Sequence, residues 1–386
     1  MTLNRRPLFA AACIAMFVFG MVIALLGTLF GLPELRARLG IDLASQGDVF
    51  SAMYVGLLIS TVLVGPVIDR FGSRFTLLSA SMMVTASLVL FSFARSFAAA
   101  AVAAALLGFG AAPLNTGGNA LVSDIYPEDR GRMLNLLGVC FGVGALFVPL
   151  IVALLFGIIS LPGIFLLCAA VAALGVVACV VPRFPPPHEA AGFSFAGMVG
   201  VAREPGIFLI AALLLFQSGN EAALSGWTST YVGSLGWSPR VATAVLLGYW
   251  VMAILGRMLS SRAQARLGKS RLIVASGLMA IAGLLILLAA AAWLPALTAG
   301  AWITAFAYSA VFPTALAIAG DRYHRFAGTV FGFLFSVAML GSMSYPYLLG
   351  HLSQAAGVRF GMLVPLVGTL GMTVCAVLVA RDTPRR

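Results

Sequence analysis

Gly65-Pro66-Val67-Ile68-Asp69-Arg70-Phe71-Gly72-Ser73-Arg74 joins two apolar runs, 45–68 and 75–94. As helices rising 1.5 Å per residue, runs of this length span about 30 Å of hydrocarbon. The joining stretch holds the charges that the runs lack, and its glycines permit a tight turn. The chain therefore reads as crossing a membrane, turning in water and crossing back.

The same alternation extends outward in both directions. Of the 386 residues, 61% are hydrophobic and only 9% charged, and the mean hydropathy is +1.07. A soluble domain is nearer half apolar and a quarter charged. In hydrocarbon the backbone must satisfy its own polar groups, and long unbroken apolar runs select helices over a barrel of short alternating strands. Division at Pro, Gly and charge clusters predicts twelve helices, at 7–30, 45–68, 75–94, 97–123, 132–158, 161–182, 205–231, 239–262, 271–291, 293–319, 326–351 and 357–380. The run after Asn4-Arg5-Arg6 is too long for a cleaved signal and lacks a small-residue cleavage site, so it reads as the first span.

Eighteen of the 23 Lys and Arg residues fall at the N-terminus, after even-numbered helices or at the C-terminus; the other loops hold five, Arg36, Arg38, Arg95, Arg240 and Arg359. By the positive-inside rule both termini are cytoplasmic. The net charge of +11 is thus a topology signal, and the scatter of arginines over short loops excludes a nucleic-acid stripe. The connection Pro182–Pro205, with Pro185-Pro186-Pro187-His188, reads as a linker (183–204) between six-helix halves at 1–182 and 205–386. The halves repeat. Leu39-Gly40 returns as Leu235-Gly236 and Gly72 as Gly268, 196 residues on; Asp124, Gly131, Gly144 and Pro149 return as Asp321, Gly328, Gly341 and Pro346, 197 residues on. A parallel repeat of this kind places a solute site at the repeat interface near the midplane.

The quoted turn resembles the G-x-x-x-D-R-x-G-R-R/K loop of the major facilitator superfamily, with Ser73 in place of the first basic residue of the final pair. The resemblance implies an all-α membrane fold of two pseudo-symmetric six-helix bundles, alternating access, a monomer, and a conformational role for Gly65, Asp69, Arg70, Gly72 and Arg74. The second-half counterpart has Ala265 where the acid would stand. Asp124 with Arg130 and Asp321 with Arg322 read as further pieces of a cytoplasmic gate or as loop anchors; Asp42 and Asp48 read as solvated on the opposite side. Within the superfamily, Asn115-Thr116-Gly117-Gly118-Asn119, Pro127-Glu128-Asp129-Arg130, Leu134-Asn135, Gly142-Val143-Gly144-Ala145 and Gly219-Asn220-Glu221 resemble the fucose permease and sodium-dependent glucose transporter branch. That branch can carry acids in helices one and four; here helix one has none and helix four offers Asn115.

Of the twelve acidic residues, Glu221 alone falls in a predicted helix interior. Intramembrane carboxylates are costly and mark transport pathways. Glu221 is therefore the candidate ion-coupling group, loading a proton, a sodium ion or a cationic substrate, with a hydrogen-bonded structural role as the alternative. Asn115 and Asn119, four apart on one helix face, have amides that match sugar hydroxyls but also serve as interhelical glue. Gln217 shares the face of Glu221, and Asn220 flanks it. Tyr54, Trp227, Tyr249, Trp250, Tyr308 and Tyr345 are candidate ring surfaces for a solute; Trp237, Trp293 and Trp302 read as including interfacial anchors.

The five cysteines lie in apolar runs and read as packing residues. No metal-ligand spacing, nucleophile–base pair or phosphate loop appears, which excludes an enzyme, a cofactor and ATP drive. With no Arg or Lys expected deep in a helix, an anionic solute is disfavoured. The reading is a secondary transporter in a bacterial inner membrane, taking a small neutral sugar or polyol with a proton or sodium ion; its rival is a proton-coupled exporter of amphipathic or cationic drugs.

Overall fold

The computed structural model describes residues 5–155, 157–186, 205–290, 292–323 and 327–382. Most of the expected linker and the N-terminal Met1–Asn4 lie outside them, as do His188 and His324. Thirteen helices run through the described residues: α1 (Arg5–Leu29), α2 (Pro33–Leu39), α3 (Leu43–Phe93), α4 (Phe97–Ile125), α5 (Arg130–Leu155), α6 (Leu161–Val180), α7 (Pro205–Ser234), α8 (Pro239–Leu267), α9 (Lys269–Ala289), α10 (Leu294–Arg322), α11 (Ala327–Ala356), α12 (Val358–Gly361) and α13 (Leu363–Asp382). Among the described residues, eleven stretches are long and apolar enough to cross a membrane. The 51-residue α3 counts once among them, so the architecture is that of twelve spans.

The expected second and third helices are the two arms of α3, which part at Gly72. At 1.5 Å per residue, 51 residues would reach about 76 Å, over twice the hydrocarbon thickness. The chain turns back instead at Gly72, whose φ of 77° and ψ of 169° are non-helical. Glycine adopts that conformation without the Cβ clash any other residue would meet. Two departures from the sequence reading are local. The short α2 lies between the first two spans, and the last span breaks at Met362 between α12 and α13.

The chain divides into two compact units, Met1–Ala191 and Gly192–Arg386. In the first, α1 packs on α4 and α5, and α3 on α4 and α6; in the second, α7 packs on α11 and α13, and α10 on α8 and α9. The sequence repeat is written in the backbone. Gly268 (φ 79°, ψ 158°) makes the turn between α8 and α9 in nearly the conformation of Gly72 between the two arms of α3. A Cβ on Gly144 of α5 would collide with the Phe17 carbonyl of α1, and one on Gly341 of α11 with the Leu215 carbonyl of α7.

Side chains sort as lipid solvation demands. Small residues such as Ala103, Ala104 and Ala111 are buried between helices, whereas Val62, Phe93, Leu154 and Val177 are exposed. Helix starts are capped by side-chain oxygens: Ser96 accepts from the Ala99 N–H, Ser160 from Gly163 and Ser238 from Val241. Asp42, expected to be merely solvated, caps α3 by accepting from the Ser45 N–H at 2.8 Å.

Candidate functional site

Glu221 stands near the centre of α7, with 221−206 = 15 residues of the apolar span before it and 234−221 = 13 after. It is paired: Arg257 Nη2 lies 3.2 Å from Glu221 Oε1. This corrects the expectation that basic side chains stay out of the spans. Arg257 belongs to the loop-side set by sequence, yet it lies within the apolar span Pro239–Ser260 of α8. Measured from the ends that meet between α7 and α8, Glu221 is 13 residues deep and Arg257 is 257−239 = 18, about 20 and 27 Å along their axes. The long arginine stem covers that difference. Side-chain exposures of 25% for Glu221 and 42% for Arg257 leave the pair partly solvated. The ion pair thus joins α7 to α8 within their apolar spans.

The polar neighbours of Glu221 on α7 point into the second unit. Gln217 Nε2 donates to the Tyr308 carbonyl at 3.0 Å, tying α7 to α10. The Tyr308 hydroxyl lies 2.5 Å from Thr369 Oγ1 of α13. Asn220 is wholly buried, and neither of its amide atoms has a hydrogen-bond partner among the described residues; Gln217 Oε1 is in the same state. Asn220 faces Gly368, where any Cβ would overlap both its Oδ1 and the Tyr345 hydroxyl. The Tyr345 ring lies over Gly219, where a Cβ would come within 2.6 Å of Cδ2. Gln217, Asn220, Tyr308, Tyr345 and Thr369 thus form one buried polar junction of α7, α10, α11 and α13.

The remaining ring candidates are also core residues. Trp227, Tyr249 and Trp250 are at most 2% exposed, and the last two meet edge to face, 5.8 Å between centroids. Trp302, expected among the interfacial anchors, instead donates from Nε1 to the Val245 carbonyl at 3.0 Å and ties α10 to α8. Trp293 is exposed.

In the first unit, Asn115 and Asn119 share a face of α4 as their spacing predicts, and they bond to each other. Asn119 Nδ2 donates to the Asn115 carbonyl at 2.8 Å and to Asn115 Oδ1 at 2.9 Å. Both remain partly exposed, while Tyr54 of α3 is buried.

The charged turns are anchored within each unit. Arg74 donates to the Cys179 and Val180 carbonyls at 3.3 and 3.0 Å, capping the C-terminal end of α6. Arg70 stacks over Phe71 at 5.3 Å; Gly65 is exposed and Asp69 intermediate. Asp124 and Arg130 are both exposed where α4 gives way to α5. Asp321 and Arg322 take partners other than those sequence proximity suggests, Lys269 and Asp382. Outside the spans, burial lowers the pKa of Arg36 on α2.

The Major Facilitator Superfamily profile matches residues 12–293 and 230–386, and the chain belongs to that family. A curated relative, the uncharacterized MFS-type transporter MT1926 of Mycobacterium tuberculosis (strain CDC 1551 / Oshkosh), is 28% identical over 64% of this chain and 34% of its own length. Sodium-dependent glucose transporter 1A of Mus musculus is 28% identical over 36% of this chain and 32% of its own. The chain thus spans about a third of the length of these relatives. The crystal structure of a D-xylose-proton symporter matches with a TM-score of 0.80 at 13% identity, covering 98% of each chain. The family and its solved neighbours are transporters, not enzymes.

Proposed function

We propose that the protein is a proton-coupled importer of a small neutral, polyhydroxylated solute, working by alternating access. The observation that carries this reading is the Glu221–Arg257 pair within the apolar spans of the second unit. Its summed charge is zero, so a neutral solute meets no uncompensated field, and the argument against an anionic solute passes from missing arginines to a neutralised one. Arg257 occupies the position a sodium ion or cationic drug would need beside Glu221, which favours the proton over sodium and import over cation export. Loading a proton onto Glu221 frees Arg257, and the two protonation states then favour different packings of α7 and α8.

Asn115 and Asn119 offer amide groups on a partly exposed face of α4, suited to solute hydroxyls. Gln217, Asn220, Trp227, Tyr249, Trp250, Tyr308 and Tyr345 of the second unit and Tyr54 of the first then act from the core of their own units rather than coat an open surface. The sequence features support a bacterial inner membrane with both termini cytoplasmic, and the family resemblance implies a monomer.

Uptake of labelled sugars, polyols and cationic dyes into proteoliposomes under imposed proton or sodium gradients tests the reading. A proton gradient should drive accumulation of a neutral polyol or sugar, and Glu221→Gln should abolish accumulation while leaving equilibrative exchange. Sodium-driven uptake, or dye accumulation in place of sugar, would sink it.

A further inference from the structure

Sequence alone makes all five cysteines packing residues, but the structure separates them. Cys168, Cys179 and Cys375 are buried, whereas Cys13 and Cys140 are partly exposed. These two face each other across the seam of α1 and α5. The Arg5–Glu128 ion pair, at 3.6 Å, holds the start of α1 to the turn that leads into α5. Further along, Phe17 and Gly144 touch so closely that the glycine admits no Cβ against the Phe17 carbonyl. The Phe17 and Phe147 rings then meet at 5.5 Å. Cys13 lies four residues before Phe17 and Cys140 four before Gly144, so both pairs share the offset 140−13 = 144−17 = 127. One helical turn below a backbone contact, equal steps along both helices bring the cysteines together. The two thiols are neighbours across this seam. Counted from the starts of their helices, Arg5 and Arg130, they sit 8 and 10 residues in, about 12 and 15 Å along the axes.

We propose that Cys13 and Cys140 form a reversible intramembrane dithiol–disulfide site whose oxidant is a lipid-soluble quinone. The two S–H bonds break and one S–S bond forms, while the two protons and two electrons pass to the quinone and make a hydroquinone. The chemistry of the location favours that class, since the thiols sit among apolar helical residues where a membrane-partitioned oxidant concentrates and a charged aqueous one does not. The bond would tie α1 to α5 directly beneath the Phe17–Gly144 contact. It would also fasten the segment of α1 that packs against α4 beside Asn115 and Asn119, where the Ala12 carbonyl lies 3.6 Å from the Cβ position of Gly118. The inference does not depend on which solute is carried.

The purified full chain in lipid nanodiscs, treated with decylubiquinone or with aqueous tetrathionate, provides the test. Titratable thiols should fall from the five of the sequence to three with the quinone. Non-reducing digestion and mass spectrometry should recover an α1 peptide linked to an α5 peptide, two hydrogens lighter than their sum and separated by dithiothreitol. Cys13→Ser and Cys140→Ser should each abolish the linked species, whereas Cys168→Ser should leave it intact. Oxidation should also raise the melting temperature of the wild type and not of Cys140→Ser. Retention of all five thiols, a linkage between other cysteines, or oxidation by tetrathionate alone would overturn the proposal.

Discussion

The two units share a backbone plan and differ in what they bury. The turn glycines Gly72 and Gly268 take nearly the same positive-φ conformation, and Gly144 and Gly341 each let a carbonyl of the partner helix approach where a Cβ would stand. Between those shared contacts, the first unit carries an uncharged pair, Asn115 and Asn119, and the dithiol of α1 and α5. The second carries an ion pair, Glu221 with Arg257, and a buried junction of Gln217, Asn220, Tyr308, Tyr345 and Thr369. The repeat therefore specifies where helices touch, and the polar chemistry hung on it is free to differ. Helix contact depends on the backbone and on small residues that admit it. Chemistry depends on single side chains facing inward.

That asymmetry breaks most visibly if the charges are removed. Glu221→Gln should abolish proton-driven accumulation, while Asn115→Ala and Asn119→Ala should raise the half-saturating solute concentration and leave the coupling intact. Arg257→Ala leaves the carboxylate without its cation. Because the pair is partly exposed, the coupling energy of a Glu221→Ala/Arg257→Ala double-mutant cycle should be about 1–2 kcal/mol rather than the larger value of a fully enclosed pair; additivity would show that the pair does not act as a unit.

A second test addresses the shared plan. Gly144→Ala and Gly341→Ala should each destabilise by about 2–3 kcal/mol, as forced overpacking does. Thermal unfolding should register similar losses from both, and a loss from one alone would show that the helix seams are not equivalent. Asn220→Leu should act in the opposite direction. It replaces a buried amide with no partner among the described residues by an apolar group of similar size, so the melting temperature should rise, corresponding to roughly 1–2 kcal/mol. Higher stability together with failed uptake would mark Asn220 as a functional group held at a cost.

Smaller effects separate anchors from sites. Tyr308→Phe removes the hydrogen bond to Thr369 and should cost about 1 kcal/mol. Arg74→Ala removes a cation from the carbonyl end of α6 and should cost about 0.5 kcal/mol.

Much of the fold was legible because hydrocarbon imposes a one-dimensional rule. Long apolar runs must be helices, and Gly72 and Gly268 mark turns that sequence punctuation already indicates. The predicted second and third helices are the two arms of α3, which part at the non-helical Gly72. The site was legible in part. Glu221 stood out because an acid in an apolar run is conspicuous, and the common face of Asn115 and Asn119 follows from a spacing of four. Arg257 escaped notice because a basic residue near the end of a span looks like a loop residue until its side chain is seen to turn inward. Its position within an apolar window on α8 was the available signal.

Sequence by itself determined the membrane class, the twelve spans, the repeat and the lone helix-interior acid, because each depends on composition or on periodicity along one chain. Tertiary structure alone decided which side chains meet: Glu221 with Arg257, Gln217 with Tyr308, Asp321 with Lys269, and Cys13 with Cys140. The physical reason is that a span's existence is a property of its own solvation, whereas a contact between spans depends on the rotation and axial register of two helices, and neither is encoded in the hydropathy of either helix alone.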